Sequence, residues 1–168
     1  MITELFNIRA DIIMVLGIDN NLLANYIVSN AVKMSYDITS TAFEDSVVDL
    51  TQSPDGIKLL EQIENIAKER NLVFEKDYWT IIHRQFEACG THNHDGDYSF
   101  VYYVHVPAES GKLIFVLDEF DKRQPCYIHE PMESQLVIFP SFLKHKVSKN
   151  MSADYRISVS GNFSIKKN

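Results

Sequence analysis

The sequence is poor in cysteine: Cys89 and Cys126 are the only two in 168 residues. Two thiols do not make a disulfide framework, and reduced cysteines in a cytosolic chain are the expectation. Positive charge is scarce as well, with 16 Lys and Arg against 23 Asp and Glu and a net charge of −7. That balance argues against an extended phosphate-tracking surface, so no broad nucleic-acid interface is expected, although a small contact is still allowed. Long apolar runs are missing too. The stretch "DIIMVLGI" is too short to span a membrane and has no basic flank, so neither a membrane span nor a signal peptide is expected. The cytoplasm is the expected location. No internal repeat or low-complexity tract stands out.

What remains is an ordinary globular composition, 45% hydrophobic and 23% charged, at a length that suits one domain over residues 1–168. The pattern changes character near residue 76. Before it, "NNLLANYIVSNAVKMSYD" places Leu22, Leu23, Tyr26, Ile27, Ala31 and Met34 at three- and four-residue steps. "SPDGIKLLEQIENIAKERN" offers Ser53 as an N-cap and Pro54 at the first helical position. Leu59, Leu60, Ile63, Ile66 and Ala67 then form an apolar stripe. After residue 76, short aromatic and β-branched runs alternate with Pro, Gly, Asp and Ser. Six to eight strands are expected there, in an antiparallel sandwich or barrel. "FNIRADIIMVLG" adds an outer strand. The predicted architecture is α+β and mainly β: residues 77–165 as the β core, residues 1–76 as helical and outer-strand support.

Three features carry possible chemistry. In "GTHNHD", His92 and His94 stand two apart, which in extended backbone puts both imidazoles on one face. Such a pair suits a transition metal, or it is a polar loop. In "LVIFPSFLKHKV", an apolar strand turns at Pro140 and Ser141, and His145 heads the next strand between Lys144 and Lys146. Alternation lets the lysines face water while His145 faces in. Two ligands on one strand and a third on a distant one would make a facial metal site. The other reading of His145 is an exposed turn residue. Third, in "YRISVSGN" the residues Arg156, Ser158 and Ser160 share one strand face, and Ile157 and Val159 the other. A guanidinium inside such a run needs an anion, so this face suits a carboxylate pocket, unless it is a solvated sheet edge.

These residues, with "FVYYVHVP" and "SGKLIF" between them, resemble the Fe(II)/2-oxoglutarate-dependent oxygenase superfamily. The similarity is greatest to its prolyl-hydroxylase-like part and to a branch common in phages and marine bacteria, and it covers roughly residues 78 to 163. It implies a double-stranded β-helix, a jelly-roll barrel of cupin-like form. It further implies a dioxygenase that uses Fe(II), 2-oxoglutarate and O2 and couples decarboxylation to C–H oxidation, with His92 and His145 as iron ligands. Arg156 would bind the far carboxylate of 2-oxoglutarate, with Ser158 and Tyr103 beside it. The usual motif is His-x-Asp or His-x-Glu, whereas this chain has His94 at the third position. Either His94 is the third ligand, or Asp95 or Asp97 supplies a carboxylate, or the site binds metal poorly.

The expected substrate is a small molecule or a peptide. "HDGDYS" and "DEFDKRQPCYIHEP" are expected at the mouth, and His105 and His129 are candidates for substrate contact or for structural roles. Oligomeric state stays open, a homodimer included. Two other readings compete: a cupin-type metalloprotein, and a non-catalytic binding protein on the same barrel. "DGDYS" lacks the glutamate a cupin would place after HxH, and a cupin has no use for Arg156.

Overall fold

The computed structural model describes residues 8–31, 44–46, 48–116 and 127–166. In chain order these form strand β1 (Asp11–Met14), helix α1 (Asn20–Asn30), strand β2 (Glu44–Ser46) and a short 3-10 turn (Leu50–Gln52). Helix α2 (Pro54–Glu69) and the short strand β3 (Leu72–Val73) follow. Then come β4 (Tyr78–His83), β5 (Cys89–His92), β6 (Tyr98–His105), β7 (Leu113–Phe115), β8 (Tyr127–His129), β9 (Gln135–Pro140), β10 (His145–Val147) and β11 (Arg156–Ile165).

The strands make two antiparallel sheets. The larger runs β1-β9-β6-β11-β4-β2, with β3 also paired to β11, and the smaller runs β5-β10-β7-β8. They face each other as a double-stranded β-helix, mainly β, with the helices on the outer face of the larger sheet. The "outer strand" of the sequence is β1, which pairs Asp11–Met14 with Gln135–Ile138 of β9 at the sheet edge. Among the described residues no helix is long and apolar enough to cross a membrane.

Helix α2 begins where its sequence says it should. The Ser53 hydroxyl accepts from the Gly56 N–H, and Pro54, which has no N–H to satisfy, opens the first turn. Leu59, Leu60, Ile63 and Ala67 are buried against the sheet, each large side chain contributing about 1.5–3 kcal/mol. Helix α1 is capped by the Asp19 carboxylate, which accepts from the Leu22 N–H. Its buried residues are Leu23 and Ile27, whereas Leu22, expected on the same stripe, is 59% exposed. Leu22 precedes Leu23 by one residue, about a quarter of a turn round the helix, and this carries it off the buried face. The helix ends at Asn30, and Met34 lies outside the described residues.

Because strand side chains alternate, each central strand of the larger sheet has two buried faces. Ile82, Tyr102, Val104, Leu136, Ile138, Ile157 and Val159 pack toward the helices. Val101, Tyr103, Val137 and Phe139 pack with Leu113 and Phe115 of the smaller sheet. Tyr102 is tied to α1 by a 2.8 Å hydrogen bond from its hydroxyl to Asn20 Oδ1. Both residues of the tyrosine pair are therefore buried, on opposite faces.

Gly161 lies where β11 is tightest. A Cβ there would approach Phe100 Cζ to 2.6 Å and would also meet the Asp77 carbonyl. The Gly161→Ala variant should therefore be destabilised by about 1–3 kcal/mol, the usual cost of overpacking. Chemical denaturation would show this as a lower midpoint at an unchanged slope.

Candidate active site

The interior between the sheets is not filled. A cavity of about 510 Å³ opens there, and its lining includes all six residues singled out from the sequence: His92, His94, His145, Tyr103, Arg156 and Ser158.

His92 ends β5 and His145 begins β10, and the two are direct cross-strand partners. His94 lies in the loop beyond β5. Its N–H donates to the Ser141 carbonyl at 3.0 Å, while the Ser141 N–H donates to the Asp97 carbonyl at 3.1 Å. The Pro140–Ser141 turn thus holds the histidine loop in place. One nitrogen from each of the three rings lies within 4.8 Å of the others, and the ring centroids are 4.3 to 5.1 Å apart.

The protonation of the cluster follows from its hydrogen bonds. His145 Nδ1 donates to the Leu143 carbonyl at 2.9 Å and His92 Nδ1 to the Gly90 carbonyl at 2.8 Å. A carbonyl only accepts, so both rings carry a proton on Nδ1, and Nε2 is the nitrogen left for a cation. Burial pushes the His145 pKa down to about 3 and the His94 pKa to about 4, and the neighbouring rings add to the shift. His94 and His145 are therefore neutral at physiological pH, the form that binds metal.

Asp95 and Asp97 stand outside this group. Both are exposed, and the Asp97 carboxylate accepts a 2.6 Å hydrogen bond from the Ile165 N–H. His105 is at the surface between Glu133 (2.8 Å) and Asp154 (3.1 Å). His129 is buried, with its Nε2 3.1 Å from Gln135 Oε1. Neither lines the cavity. Of the expected mouth segments, "HDGDYS" begins at the histidine cluster, while residues 118–126 of the other, Cys126 included, lie outside the described residues.

A second cluster shares the cavity. Arg156 is 1% exposed and Ser158 2%. Both project from β11 on the face opposite Ile157 and Val159, as alternation requires. Among the described residues no carboxylate pairs with Arg156. Its guanidinium carbon lies 5.3 Å from the centroid of the Tyr103 ring, within cation–π range. Arg156 Nε and the Tyr103 hydroxyl are buried without a hydrogen-bond partner among the described residues. A fixed cation, two unused polar groups and a serine facing a cavity form a socket for an anion.

Sequence reasoning missed His83 and Cys89 among the polar residues that line the cavity. His83 Nδ1 lies 3.2 Å from Arg156 Nη1, and Cys89 Sγ lies 3.4 Å from His92 Nδ1. The signal for His83 was present in "YWTIIH", whose alternate members Trp79, Ile81 and His83 all line the cavity. Trp79 approaches the histidine cluster, its ring centroid 5.4 Å from that of His94.

Known proteins give a consistent picture. The family model described as "Putative 2OG-Fe(II) oxygenase" matches residues 77–162, just over half of the chain. Curated proteins provide no match. Among solved structures, the chain is similar to a Trichoplax adhaerens prolyl hydroxylase in complex with a hypoxia inducible factor oxygen degradation domain peptide fragment. The TM-score is 0.67 at 12% identity, over 94% of this chain and 84% of that one. A Pseudomonas putida prolyl-4-hydroxylase gives 0.62 at 19% identity, over 86% and 84%. A 2OG-Fe(II) oxygenase family oxidoreductase from Burkholderia pseudomallei gives 0.58 at 12%, over 93% and 87%. At these identities the likeness is one of fold, and the family match adds the chemistry: this chain belongs to the 2OG-Fe(II) oxygenase family, whose enzymes use Fe(II), 2-oxoglutarate and O2.

Proposed function

We propose that His92, His94 and His145 hold the iron of this oxygenase, and that Arg156, Ser158 and Tyr103 receive the far carboxylate of 2-oxoglutarate. One observation carries the reading: a guanidinium buried without a carboxylate among the described residues faces the same cavity as three clustered imidazoles. An imidazole set suits ferrous iron, and a buried cation with unused polar neighbours suits a diacid. A cupin-type site would leave Arg156 without a purpose. When bound, iron with 2-oxoglutarate and O2 supplies the oxidising power for C–H oxidation, coupled to decarboxylation of the 2-oxo acid to succinate and CO2.

The chain's own residues arrange that chemistry. Leu143 and Gly90 fix two ligand rings through their Nδ1 protons. Arg156 orients the diacid, and the apolar walls, Ile81, Leu113, Phe139 and Val147 among them, keep water out. In this reading His94 stands where relatives carry a carboxylate, so the site contributes no negative charge of its own.

The substrate is a small molecule or a peptide. The peptide bound by the Trichoplax enzyme supports the second, and the net charge of −7 disfavours an extended nucleic-acid surface. All the proposed site residues fall within residues 77–165, consistent with one domain whose first 76 residues support it. The Cys89 thiol, 3.4 Å from His92 Nδ1, suits a reducing compartment such as the cytoplasm.

Adding 2-oxoglutarate anaerobically to the Fe(II)-loaded protein should produce a saturable visible charge-transfer band. Arg156→Ala should weaken the titration about 10- to 100-fold, the worth of hydrogen bonds to a charged group. Iron loading without a band would count against the 2-oxoglutarate pocket. In a direct metal titration, His145→Ala and His94→Ala should each lose most Fe(II) affinity, while Asp95→Asn and Asp97→Asn should leave it unchanged. A large loss in either aspartate variant would instead name that carboxylate as the third ligand.

A further inference from the structure

We propose that His83 is a positioning residue of the cosubstrate pocket, holding Arg156 through Nδ1 and hydrogen-bonding the far carboxylate of 2-oxoglutarate through Nε2–H. The inference rests on the assignment of Arg156 above and extends it to a residue that the sequence motif does not contain.

The tautomer follows from the contact. A guanidinium has five N–H donors and no acceptor, so across the 3.2 Å between Arg156 Nη1 and His83 Nδ1 the histidine must accept. The lone pair is then on Nδ1 and the proton on Nε2. Burial, and the Arg156 charge beside it, push the His83 pKa down to about 3, so the ring stays neutral and keeps that tautomer at physiological pH. Its far side is a hydrogen-bond donor.

The fold holds this donor at the socket. His83 and Arg156 are direct cross-strand partners on β4 and β11, and both line the cavity with Tyr103 and Ser158. The ring is 1% exposed. Its backbone is pinned by Asn150, whose Nδ2 donates to the His83 carbonyl at 3.0 Å and to the Asp154 carbonyl at 2.8 Å. A neutral donor also fits the charge count. One guanidinium balances one carboxylate, and a second cation would leave the buried pocket with excess positive charge. Histidine in this tautomer adds a hydrogen bond without adding charge.

Two substitutions separate the two nitrogens. His83→Asn keeps an acceptor near the Nδ1 position but has no donor at the Nε2 distance, whereas His83→Gln reaches that distance with an amide N–H. The full-length Fe(II)-loaded variants are titrated anaerobically with 2-oxoglutarate and with 2-oxobutanoate, which has the same chelating end and no far carboxylate. We expect His83→Asn to weaken 2-oxoglutarate about 10-fold and 2-oxobutanoate little, with Fe(II) affinity unchanged. His83→Gln should recover most of the loss. The proposal is overturned if His83→Asn binds 2-oxoglutarate as tightly as the unsubstituted protein. It also falls if both variants weaken the two 2-oxo acids in equal proportion, the mark of a structural role. An unsubstituted protein that loads iron but shows no preference for 2-oxoglutarate over 2-oxobutanoate would overturn the Arg156 assignment, and this inference with it.

Discussion

The burial of Arg156 is the constraint that the rest of the site answers to. A guanidinium taken out of water costs several kcal/mol unless something offsets it, and among the described residues no carboxylate does. What surrounds it instead is a tyrosine ring, a histidine nitrogen and the open end of a cavity. The arrangement is incomplete as a piece of structure and complete as half of an ion pair. An anion entering the cavity would complete the pair.

Such burial needs β11 to be secure by other means. The strand pairs with β4 on one side and β6 on the other, and Ile157, Val159 and Phe163 anchor it in the core beneath the helices. The helices α1 and α2 thus contribute to the chemistry from a distance. They cover the outer face of the larger sheet so that its inner face can carry polar groups. The smaller sheet supplies the remainder, since β5 and β10 pair His92 with His145 directly, and strand pairing itself sets the spacing of these two imidazoles.

The sequence disclosed most of this where the signal was local. Alternation in "YRISVSGN" separated the cavity face of β11 from its core face, the HxH spacing and the Pro140–Ser141 turn marked the three histidines, and Ser53–Pro54 marked the start of α2. Features that depend on strand pairing were hidden. His83 meets Arg156 only through the register of β4 against β11, and nothing local announces a register. The grouping of His94, rather than Asp95 or Asp97, with the other two histidines was likewise hidden, because it depends on backbone contacts: the Ser141 carbonyl takes the His94 N–H, and the Ile165 N–H takes the Asp97 carboxylate. Leu22 went astray for a simpler reason: α1 buries only the narrow face of Leu23 and Ile27, and Leu22 lies about 100° round the helix from Leu23.

Trp79 has a consequence of another kind. It is the sole tryptophan of the chain, and its ring borders the cavity 5.4 Å from that of His94. All indole emission of this protein therefore originates beside the imidazole cluster, with no background from elsewhere in the fold. The molecule carries its own optical gauge of what enters its interior, placed there by the same strand alternation that put Ile81 and His83 on the cavity wall.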